Sequence, residues 1–394
     1  MPRSVAAEAA PNLGRQVLVT LPPGPERLWD RVMVDLASVY SLKLLYFWPL
    51  PSLGEDCLIY ELPPGRDPEE MAARLARDRR VSSAQPIHVF RVLSDPYNDP
   101  YANLQHGLRS LGLAQAQTVA RGRGVKVAVV DTGVDFSHPD LQARVVKASN
   151  FVNWGEPAFT GDVHGTAVAG VIAADANNRT GIVGVAPEAE LLALKACWQD
   201  PPQSRQALCN SYTLAEAVDF ALREGAQVMN FSLAGPSDPL LAKLLNRAIE
   251  QGVTVVAAAP EHGVAESFPA SLPGVLAVRA TDLEGQLRSP AGSEGAGPLL
   301  AAPGVDILAT TPHSAYDFFT GSSLAAAEVS GVVALMLEKS PQLKPAEVRA
   351  LLAETGRPAP EAGQPAGAAQ ARQVNACAVL ARLGAALSCA EPAP

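Results

Sequence analysis

Hydrophobic positions in the first ninety residues follow two patterns. Apolar runs of strand type, among them RQVLVTLP, LKLLYFW and EDCLIYEL, alternate with segments of helical spacing. In the first such segment apolar residues recur every three or four positions, at Leu28, Val32, Leu36 and Val39. In the second, DPEEMAARLARDRR, Asp67 is placed to cap a charged helix. The resulting order β-α-β-β-α-β predicts a small α+β, ferredoxin-like domain over residues 15–93, after a tail of residues 1–14.

The pattern changes beyond a turn-rich linker that begins at residue 94. Five apolar runs, VKVAVVD, ELLALKA, AQVMNFSL, VTVVAAA and GVLAVRA, alternate with helical segments. Runs that are apolar on both faces are typical of a parallel sheet covered by helices on both sides. One helix, TLAEAVDFALREG, is predicted to begin with a capping box of Thr213 and Glu216. The sequence therefore predicts a doubly wound α/β domain over residues 94–375, followed by a C-terminal tail, residues 376–394.

Composition narrows the classes of function. Of the 394 residues, 48% are hydrophobic and 18% charged, so a sizeable core is expected. The net charge is −9 and no long basic run occurs, which argues against nucleic acid and anionic membranes as partners. No run of 18 apolar residues is present, and the first residues lack the apolar segment of a signal peptide. We expect a monomer without a membrane span, whose signal peptide is absent from this sequence.

The five cysteines bear on the compartment. Cys197 and Cys209 bracket eleven residues, as do Cys377 and Cys389, and Cys57 is left over. Two local disulfides are the simplest pairing, although spacing does not fix connectivity, and they favour an extracytoplasmic compartment, periplasmic or secreted. Five free thiols in a cytosolic protein are the alternative. A zinc site is disfavoured because neither C-x-x-C nor H-x3-H spacing occurs.

Three polar residues stand near the carboxyl ends of predicted strands, where a doubly wound sheet has its active site. Asp131 ends one apolar run, while His164 and Ser323 each open a small-residue helical segment. A carboxylate, an imidazole and a hydroxyl can act as orienter, general base and nucleophile in acyl transfer. Taken alone, the serines of TGSSLAAAEVSG also suit the cap of a helix, and His138 is a second candidate base.

The blocks around these residues resemble the subtilisin-like serine proteases. DTGVDFSHPDL, HGTAVAGVIAA, NNRTGIVGVAPEAELLALKA, VMNFSLAGP, FPASLPGVLAV, AAPGVDIL and GSSLAAAEVSGVVAL follow one another in that family's order. The resemblance implies a subtilisin-like fold and a serine endopeptidase working through an acyl-enzyme, with Asp131 as orienter, His164 as base and Ser323 as nucleophile. It also implies that residues 15–93 are an inhibitory, chaperone-like prodomain, a partner within the same chain.

The same resemblance assigns a substrate-binding region. The segment matching the edge that pairs with an extended peptide, and the residues matching the specificity pocket, are Ser232, Leu233, Ala234, Ala258 and Ala259. Ala234 replaces a usual glycine of the family. Ala327 and Glu328 stand where the family usually has Pro-His.

A further departure lies in the oxyanion region. Pro260 occupies the position at which the family usually has an asparagine that donates to the oxyanion, and proline has neither a side-chain donor nor a backbone N–H. Ser322 replaces a usual threonine and keeps a hydroxyl, and the backbone N–H of Ser323 remains. His262 and Ser267 are close enough in sequence to be substitute donors. Slow turnover is therefore expected unless one of these groups fills the role.

Structural calcium is also implied by the resemblance. Asp140 and Asn178 match ligand positions of the family's tight calcium site, and Asp99 resembles a third ligand. Oxygen ligands spread over loops suit Ca²⁺. Ordinary turn residues are the alternative for all three.

Two functions of different classes follow from these observations. The first is an active extracytoplasmic endopeptidase that acts on polypeptides and carries its own inhibitor. The second is a pseudoprotease that binds peptides or serves as a scaffold, and Pro260 is the residue that separates the two. An aspartic protease based on VDTG is a disfavoured third hypothesis, because that chemistry needs two carboxylates and only one D-T-G occurs. We also expect the end of the first domain to reach the active site, with any cleavage between Phe90 and Asp99.

Overall fold

A computed structural model describes residues 14–22, 26–88, 96–152, 161–200, 206–260, 267–288, 299–361 and 371–389. The chain divides into two units, Met1–Ser94 and Asp95–Pro394, and each is described by itself. Residues 89–95, which contain most of the predicted cleavage segment, lie outside the described residues, as does His262.

The first unit is a four-stranded antiparallel sheet with two helices. Its elements are β1 (Gln16–Leu21), α1 (Glu26–Tyr40), β2 (Lys43–Leu50), β3 (Glu55–Glu61), α2 (Pro68–Leu75) and β4 (Ser83–Pro86). The strand order is β2-β3-β1-β4. Alternate residues of β1 and β3, including Val17, Val19 and Leu58, are fully buried against the helices. Asp67 caps α2 as predicted, since its carboxylate accepts from the N–H groups of Glu69 and Glu70.

The second unit is built on a nine-stranded sheet. Its helices are α3 (His106–Ser110), α4 (Leu113–Ala116), α5 (Val163–Ala173), α6 (Ser211–Arg223), α7 (Pro239–Glu250), α8 (Ser322–Lys339), α9 (Pro345–Thr355) and α10 (Ala376–Arg382). Its strands are β5 (Lys126–Asp131), β6 (Val145–Asn150), β7 (Glu190–Lys195), β8 (Cys197–Gln199), β9 (Ala207–Cys209), β10 (Val228–Phe231), β11 (Thr254–Ala258), β12 (Leu276–Thr281), β13 (Leu299–Pro303), β14 (Ile307–Thr311), β15 (Ala315–Phe319), β16 (Arg357–Ala359) and β17 (Ala371–Gln373).

Strand order in this sheet is β16-β17-β13-β12-β11-β10-β5-β7-β6, and every pairing is parallel except that of β16 with β17. Both faces are buried. On β5, Val127 and Val129 pack in the layer that contains α5 and α8, whereas Ala128 and Val130 pack in the layer of α6 and α7. The doubly wound α/β prediction is therefore confirmed.

Two local predictions differ from the structure. Helix α6 is capped by Asn210, whose side chain accepts from the N–H of Thr213, so the predicted capping box with Glu216 is wrong by three residues. Thr213 instead donates its hydroxyl to the carbonyl of Ala196. Residues 376–389, which were predicted to belong to a C-terminal tail, contain α10. Ala376 of this helix is fully buried in the core of the second unit, so this part of the tail packs into that unit.

Both predicted disulfides are present. Cys197 pairs with Cys209 across the β8–β9 hairpin, and Cys377 pairs with Cys389. Cys57 is free and buried in the first unit, where burial raises the pKa of its thiol to about 11. Among the helices of the described ranges, none has the length and apolar character that crossing a bilayer requires.

Candidate active site

Asp131 and His164 form a hydrogen-bonded pair at the carboxyl edge of the nine-stranded sheet. Asp131 is the last residue of β5 and is almost fully buried. His164 is the second residue of α5, and its Nδ1 lies 2.8 Å from Asp131 Oδ1 and 3.0 Å from Oδ2. The carboxylate accepts the Nδ1 proton, which leaves Nε2 as the basic site of the neutral ring.

Local contacts fix this pair. The N–H of Thr132 donates to Asp131 Oδ1 (2.7 Å), and the N–H of Gly165 donates to Thr132 Oγ1 (3.1 Å). A Cβ on Gly165 would lie 3.2 Å from Asp131 Cβ and would overlap the carbonyl oxygen of Gly133. Glycine after the histidine therefore allows the start of α5 to approach the end of β5.

The electrostatic environment makes His164 a stronger base than an ordinary imidazole. Burial lowers the pKa of His164, but the charge of Asp131 and the hydrogen bond to it more than offset this, so the pKa lies above its ordinary value. The His164 side chain is 21% exposed, and thus remains open to a reactant. A base in this setting is stabilised once it has taken a proton.

Ser323 is the second residue of α8, and neither serine of TGSSLAAAEVSG caps this helix. The N-cap is Gly321, and no side chain makes a capping hydrogen bond there. The Ser323 hydroxyl donates to the carbonyl of Ser232 at 3.3 Å. Because a serine has a single O–H proton, that proton points at Ser232 in this arrangement. The helix-cap interpretation of the two serines is therefore wrong.

A hydrogen-bond chain holds Ser232 against α8. Ser232 Oγ donates to the carbonyl of Ser323 at 3.0 Å and accepts from Asn230 Nδ2 at 2.9 Å. The Oδ1 atom of Asn230 in turn accepts from the hydroxyl of Ser330 at 2.8 Å. The end of β10 and the start of α8 are thereby fixed to each other.

Two pockets meet at the segment Ser232–Ala234. The larger, about 480 Å³, is lined by Asp131, His164, the Cys197–Cys209 disulfide and apolar side chains of α7. The smaller, about 200 Å³, is lined by Ser232, Leu233, Ala234, Ala258, Ala259, Pro260, Ser322 and Ser323. All five residues predicted to bind substrate line this smaller pocket. Ser232 lines both pockets, and it links the surroundings of His164 to Ser323.

Few donors are available in the oxyanion region. Pro260 lines the smaller pocket without an N–H, and the N–H of Ala259 donates to the carbonyl of Val278 at 2.8 Å. Ser322 Oγ accepts from the N–H of Ala280 at 3.2 Å. The N–H of Ser323 lies in the first turn of α8, where no intrahelical acceptor exists. Within the described parts of this predicted oxyanion region, it is therefore a backbone donor that an oxyanion could use.

His138, the other candidate base, has a structural role. It is fully buried, its Nδ1 accepts from the N–H of Asp140 at 3.1 Å, and its Nε2 lies 3.2 Å from the carbonyl oxygen of Ala315. Both ring nitrogens are thus engaged by backbone groups, and His138 is not available as the base.

The three residues predicted to bind calcium lie together in the second unit. Asp99 and Asp140 are buried, and burial raises the pKa of both carboxyl groups. Asn178 donates its backbone N–H to Asp99 (3.3 Å) and its Nδ2 to Asp140 (2.8 Å). Two desolvated carboxylates and an amide fit a divalent cation in charge and ligand type. Asn178 would have to turn its amide, because its oxygen here accepts from the N–H of Thr180.

Sequence reasoning missed the buried pair Lys195–Asp162, which lies next to Asp131. Lys195 Nζ is 2.6 Å from Asp162 Oδ1, and both side chains are less than 10% exposed. The signal was present in the sequence, since a lysine ends the apolar run ELLALK in a strand that pairs with the strand of Asp131.

The protein is thus a doubly wound α/β protein, with a carboxylate–imidazole pair beside one pocket and a helix-borne serine beside a second pocket that shares the segment Ser232–Ala234. The chain belongs to the subtilase family, whose model matches residues 122–375.

Curated relatives agree with this assignment. The chain is 35% identical over 271 residues to the thermophilic serine proteinase of Bacillus sp. (strain AK1), a match that covers 68% of this chain and 66% of that relative. It is 37% identical over 242 residues to thermitase of Thermoactinomyces vulgaris, covering 61% of this chain and 84% of thermitase.

Solved structures give the same picture. Fervidolysin from Fervidobacterium pennivorans, described as a keratinolytic enzyme related to subtilisin, is similar with a TM-score of 0.61 at 27% identity. That match covers 93% of this chain but only 61% of fervidolysin. Proteases from Pseudoalteromonas arctica match with a TM-score of 0.62 at 26% identity, over 73% of this chain and the full length of the other.

Proposed function

We propose that the protein is a serine endopeptidase that hydrolyses polypeptides through Asp131, His164 and Ser323. The observation that carries the proposal is the Asp131–His164 pair facing a cleft whose wall, Ser232, is hydrogen-bonded to Ser323. Membership in the subtilase family and similarity to named proteinases support it.

In the proposed mechanism, the Ser323 hydroxyl leaves its hydrogen bond to Ser232 and gives its proton to His164 Nε2 as Oγ attacks the peptide carbonyl. Asp131 stabilises the imidazolium that forms. The same proton then passes to the leaving amine, and the acyl group remains on Ser323. His164 then takes a proton from water, which attacks the acyl-enzyme; the bond to Ser323 Oγ breaks, His164 returns the proton to Oγ, and the acid product leaves.

An extended substrate is proposed to lie along Ser232–Ala234, because a peptide that adds to an exposed strand segment gains backbone hydrogen bonds. One substrate side chain would enter the small pocket beside Ala258 and Ala259. Another would enter the larger pocket, whose apolar wall includes Leu241 and Leu245. These contacts orient the scissile bond, and the pocket residues select side chains by size.

We expect turnover to be slow because of Pro260, since the Ser323 N–H would face the developing oxyanion without the usual side-chain donor. The second candidate is therefore a pseudoprotease that keeps the cleft for binding peptides and has lost turnover.

We further propose that residues 15–93 act as an intramolecular inhibitor and folding aid for the protease, which works as a monomer. The two disulfides support an extracytoplasmic location, because such bonds persist in oxidising compartments.

Labelling with a fluorophosphonate tests the proposed nucleophile. We expect the probe to modify the wild-type chain at Ser323, found by peptide mapping, and to leave Ser323→Ala unlabelled, because only an activated serine attacks the phosphorus. Labelling that persists in Ser323→Ala would contradict the assignment.

The same two proteins distinguish the two candidate functions. Ser323-dependent turnover of an activated peptide ester supports the enzyme, and its absence favours the pseudoprotease. Intact mass after incubation shows whether the first unit is removed, which should happen in the wild type only.

We propose that Asp140, Asp99 and the side-chain amide oxygen of Asn178 hold calcium, which would neutralise the two buried carboxylates. We expect a chelator to lower Tm by several degrees, because a ligand at a hundredfold excess over its Kd stabilises the fold by about 2.7 kcal/mol. Thermal unfolding with calcium and with EDTA measures the effect.

The matched control is Asp140→Asn, which keeps the shape of the side chain and removes one charge. Its Tm should not respond to the chelator. If the wild-type Tm is the same with calcium and with EDTA, the three residues are ordinary turn residues.

A further inference from the structure

Lys195 and Asp162 form a buried ion pair behind the Asp131–His164 pair. We propose that they are positioning residues, which join the start of the His164 helix to the end of the Asp131 strand and set the electrostatic potential at the imidazole. This inference rests on the proposed function for its catalytic meaning, but its test does not require turnover.

The position of Lys195 is unusual for a charged residue. It ends β7, directly beside Asp131 in the register of the parallel pair β5–β7. The residues before it, Leu191 to Leu194, are buried, and the Lys195 side chain itself is only 9% exposed. A buried ammonium group is costly unless its charge is matched and its protons are accepted. The contacts of Nζ must therefore compensate.

Two contacts of Nζ link two different segments. Nζ donates to Asp162 Oδ1 and to the carbonyl oxygen of Thr132, both at 2.6 Å. Thr132 follows Asp131, donates its N–H to the Asp131 carboxylate and accepts from Gly165, the neighbour of His164. Lys195 thus ties the turn after Asp131 to the start of α5.

Asp162 is the N-cap of α5, yet its side chain does not cap the helix. The capping side chains of α2 and α7, Asp67 and Asp238, accept from backbone N–H groups of their helices, whereas Asp162 Oδ1 accepts from Lys195. Asp162 Oδ2 is buried and has no hydrogen-bond partner within the described ranges of the chain. The Asp162 side chain therefore binds Lys195 instead of capping α5.

In this proposal the charges of Lys195 and Asp162 act on His164 from buried positions, where water screens them weakly. Among the described residues, Asp131 is hydrogen-bonded to the imidazole, and Asp238, the N-cap of α7, lines the same pocket. Lys195 and Asp162 lie behind them, through the contacts of Lys195 with Thr132 and Asp162. The pKa of Asp162 is raised to about 6, because burial and, to a lesser degree, the charge of Asp131 raise it more than Lys195 lowers it. The Lys195–Asp162 pair has no net charge when both side chains are ionised. When the Asp162 carboxyl group is protonated, the pair carries the uncompensated positive charge of Lys195.

Asp162→Asn isolates this charge. The variant keeps the shape of the side chain and leaves Lys195 without its counter-ion, so the positive charge should disfavour the imidazolium. We expect the pKa of His164 to fall by about one unit, the lower end of the range for a like charge near a buried group. NMR titration of the His164 ring in a Ser323→Ala background measures it without any turnover.

Lys195→Met with Asp162→Asn is the decisive second variant, because it removes the positive charge as well. The pKa of His164 should return toward the wild-type value. A merely structural role predicts that the double variant is at least as perturbed as the single one. An unchanged pKa in Asp162→Asn, or a pKa that stays low in the double variant, would overturn the proposal.

Asp238→Asn is the matched control, since Asp238 lines the same pocket but is partly exposed and has no lysine partner in the described residues. Its effect on His164 should be small and should vanish with added salt. If Asp162→Asn does not fold, the proposal is tested with the double variant Lys195→Met with Asp162→Asn, whose kcat and KM are measured in protein that keeps Ser323. Lost positioning lowers kcat about tenfold with KM unchanged, and an unchanged kcat would refute it.

Discussion

Replacing Pro260 by asparagine is expected to raise turnover of a peptide anilide, by up to ~10²–10³-fold, a magnitude known from removal of one oxyanion donor in subtilisin, a relative of this protein. Pro260 lines the pocket of Ser323 and cannot donate, and the N–H of its neighbour Ala259 is already bonded to Val278. An amide side chain at position 260 would supply a second donor beside the Ser323 N–H. Initial rates of the wild type and Pro260→Asn on one anilide measure the gain.

Pro260→Ala is the matched control for this gain. It restores the backbone N–H and the flexibility that asparagine brings, but not the side-chain amide, so the ratio of the two variants isolates the amide. Pro260→Asn combined with Ser323→Ala should be inactive. Equal rates for the asparagine and alanine variants would show that no oxyanion forms near position 260. A wild-type rate typical of the family would show that another donor already serves.

The ester and anilide substrates should respond differently to the change. An ester has a better leaving group and demands less stabilisation of the tetrahedral intermediate, so the wild type should perform relatively better on it. Pro260→Asn should therefore increase the anilide rate more than the ester rate. This difference separates an oxyanion effect from a general improvement in folding, which would scale both rates equally.

The fold could be predicted because its signals are local. The five long apolar runs all became strands of the parallel sheet, since burial on both faces leaves a continuous hydrophobic segment. Strand β6 escaped prediction because it lies at the edge of the sheet, and after its two valines it is largely polar, so it has no continuous apolar run. The disulfides could be predicted because each closes a short loop.

Residues of the candidate site could be predicted only where a reactive side chain stands within a recognisable sequence motif. Asp131 and His164 sit at element ends that a parallel sheet brings to one edge, and they are hydrogen-bonded in the structure. The chain from Ser330 through Asn230 to Ser232 joins residues a hundred positions apart, which no local pattern shows. The helix-cap interpretation of the serines failed because Gly321 takes the capping position.

Glu328 should make the protein less stable as pH rises. It lies on α8, only 3% exposed, beside a cavity of about 20 Å³, and its Oε2 has no hydrogen-bond partner among the residues that the structure describes. A Cβ on Gly107 would overlap Glu328 Oε1, so glycine makes room for the carboxyl group. Burial raises the pKa of Glu328 well above its ordinary value, and the folded protein therefore keeps this group protonated and neutral.

The sign of the effect follows from the unfolded chain, in which the same carboxyl group ionises near pH 4.3. Below that pH both states hold the proton, and stability is complete. Above it the unfolded state is stabilised by releasing the proton, so the stability contributed by this group is lost as pH rises toward the pKa in the folded state. One proton changes the free energy of unfolding by at most about 1.4 kcal/mol per pH unit.

Glu328→Gln removes this titration while it keeps nearly the same volume. We expect the two proteins to have similar free energies of unfolding near pH 4, and the variant to become progressively more stable than the wild type as pH rises, by at most about 1.4 kcal/mol per pH unit. Urea unfolding at several pH values measures the difference, with an unchanged m-value as the check that both unfold alike. His106 also lines the cavity, and His106→Gln combined with each form controls for the contribution of this neighbour. A difference between the wild type and Glu328→Gln that does not grow with pH would mean that Glu328 is ionised in the folded protein, with a cation or water bound beside it.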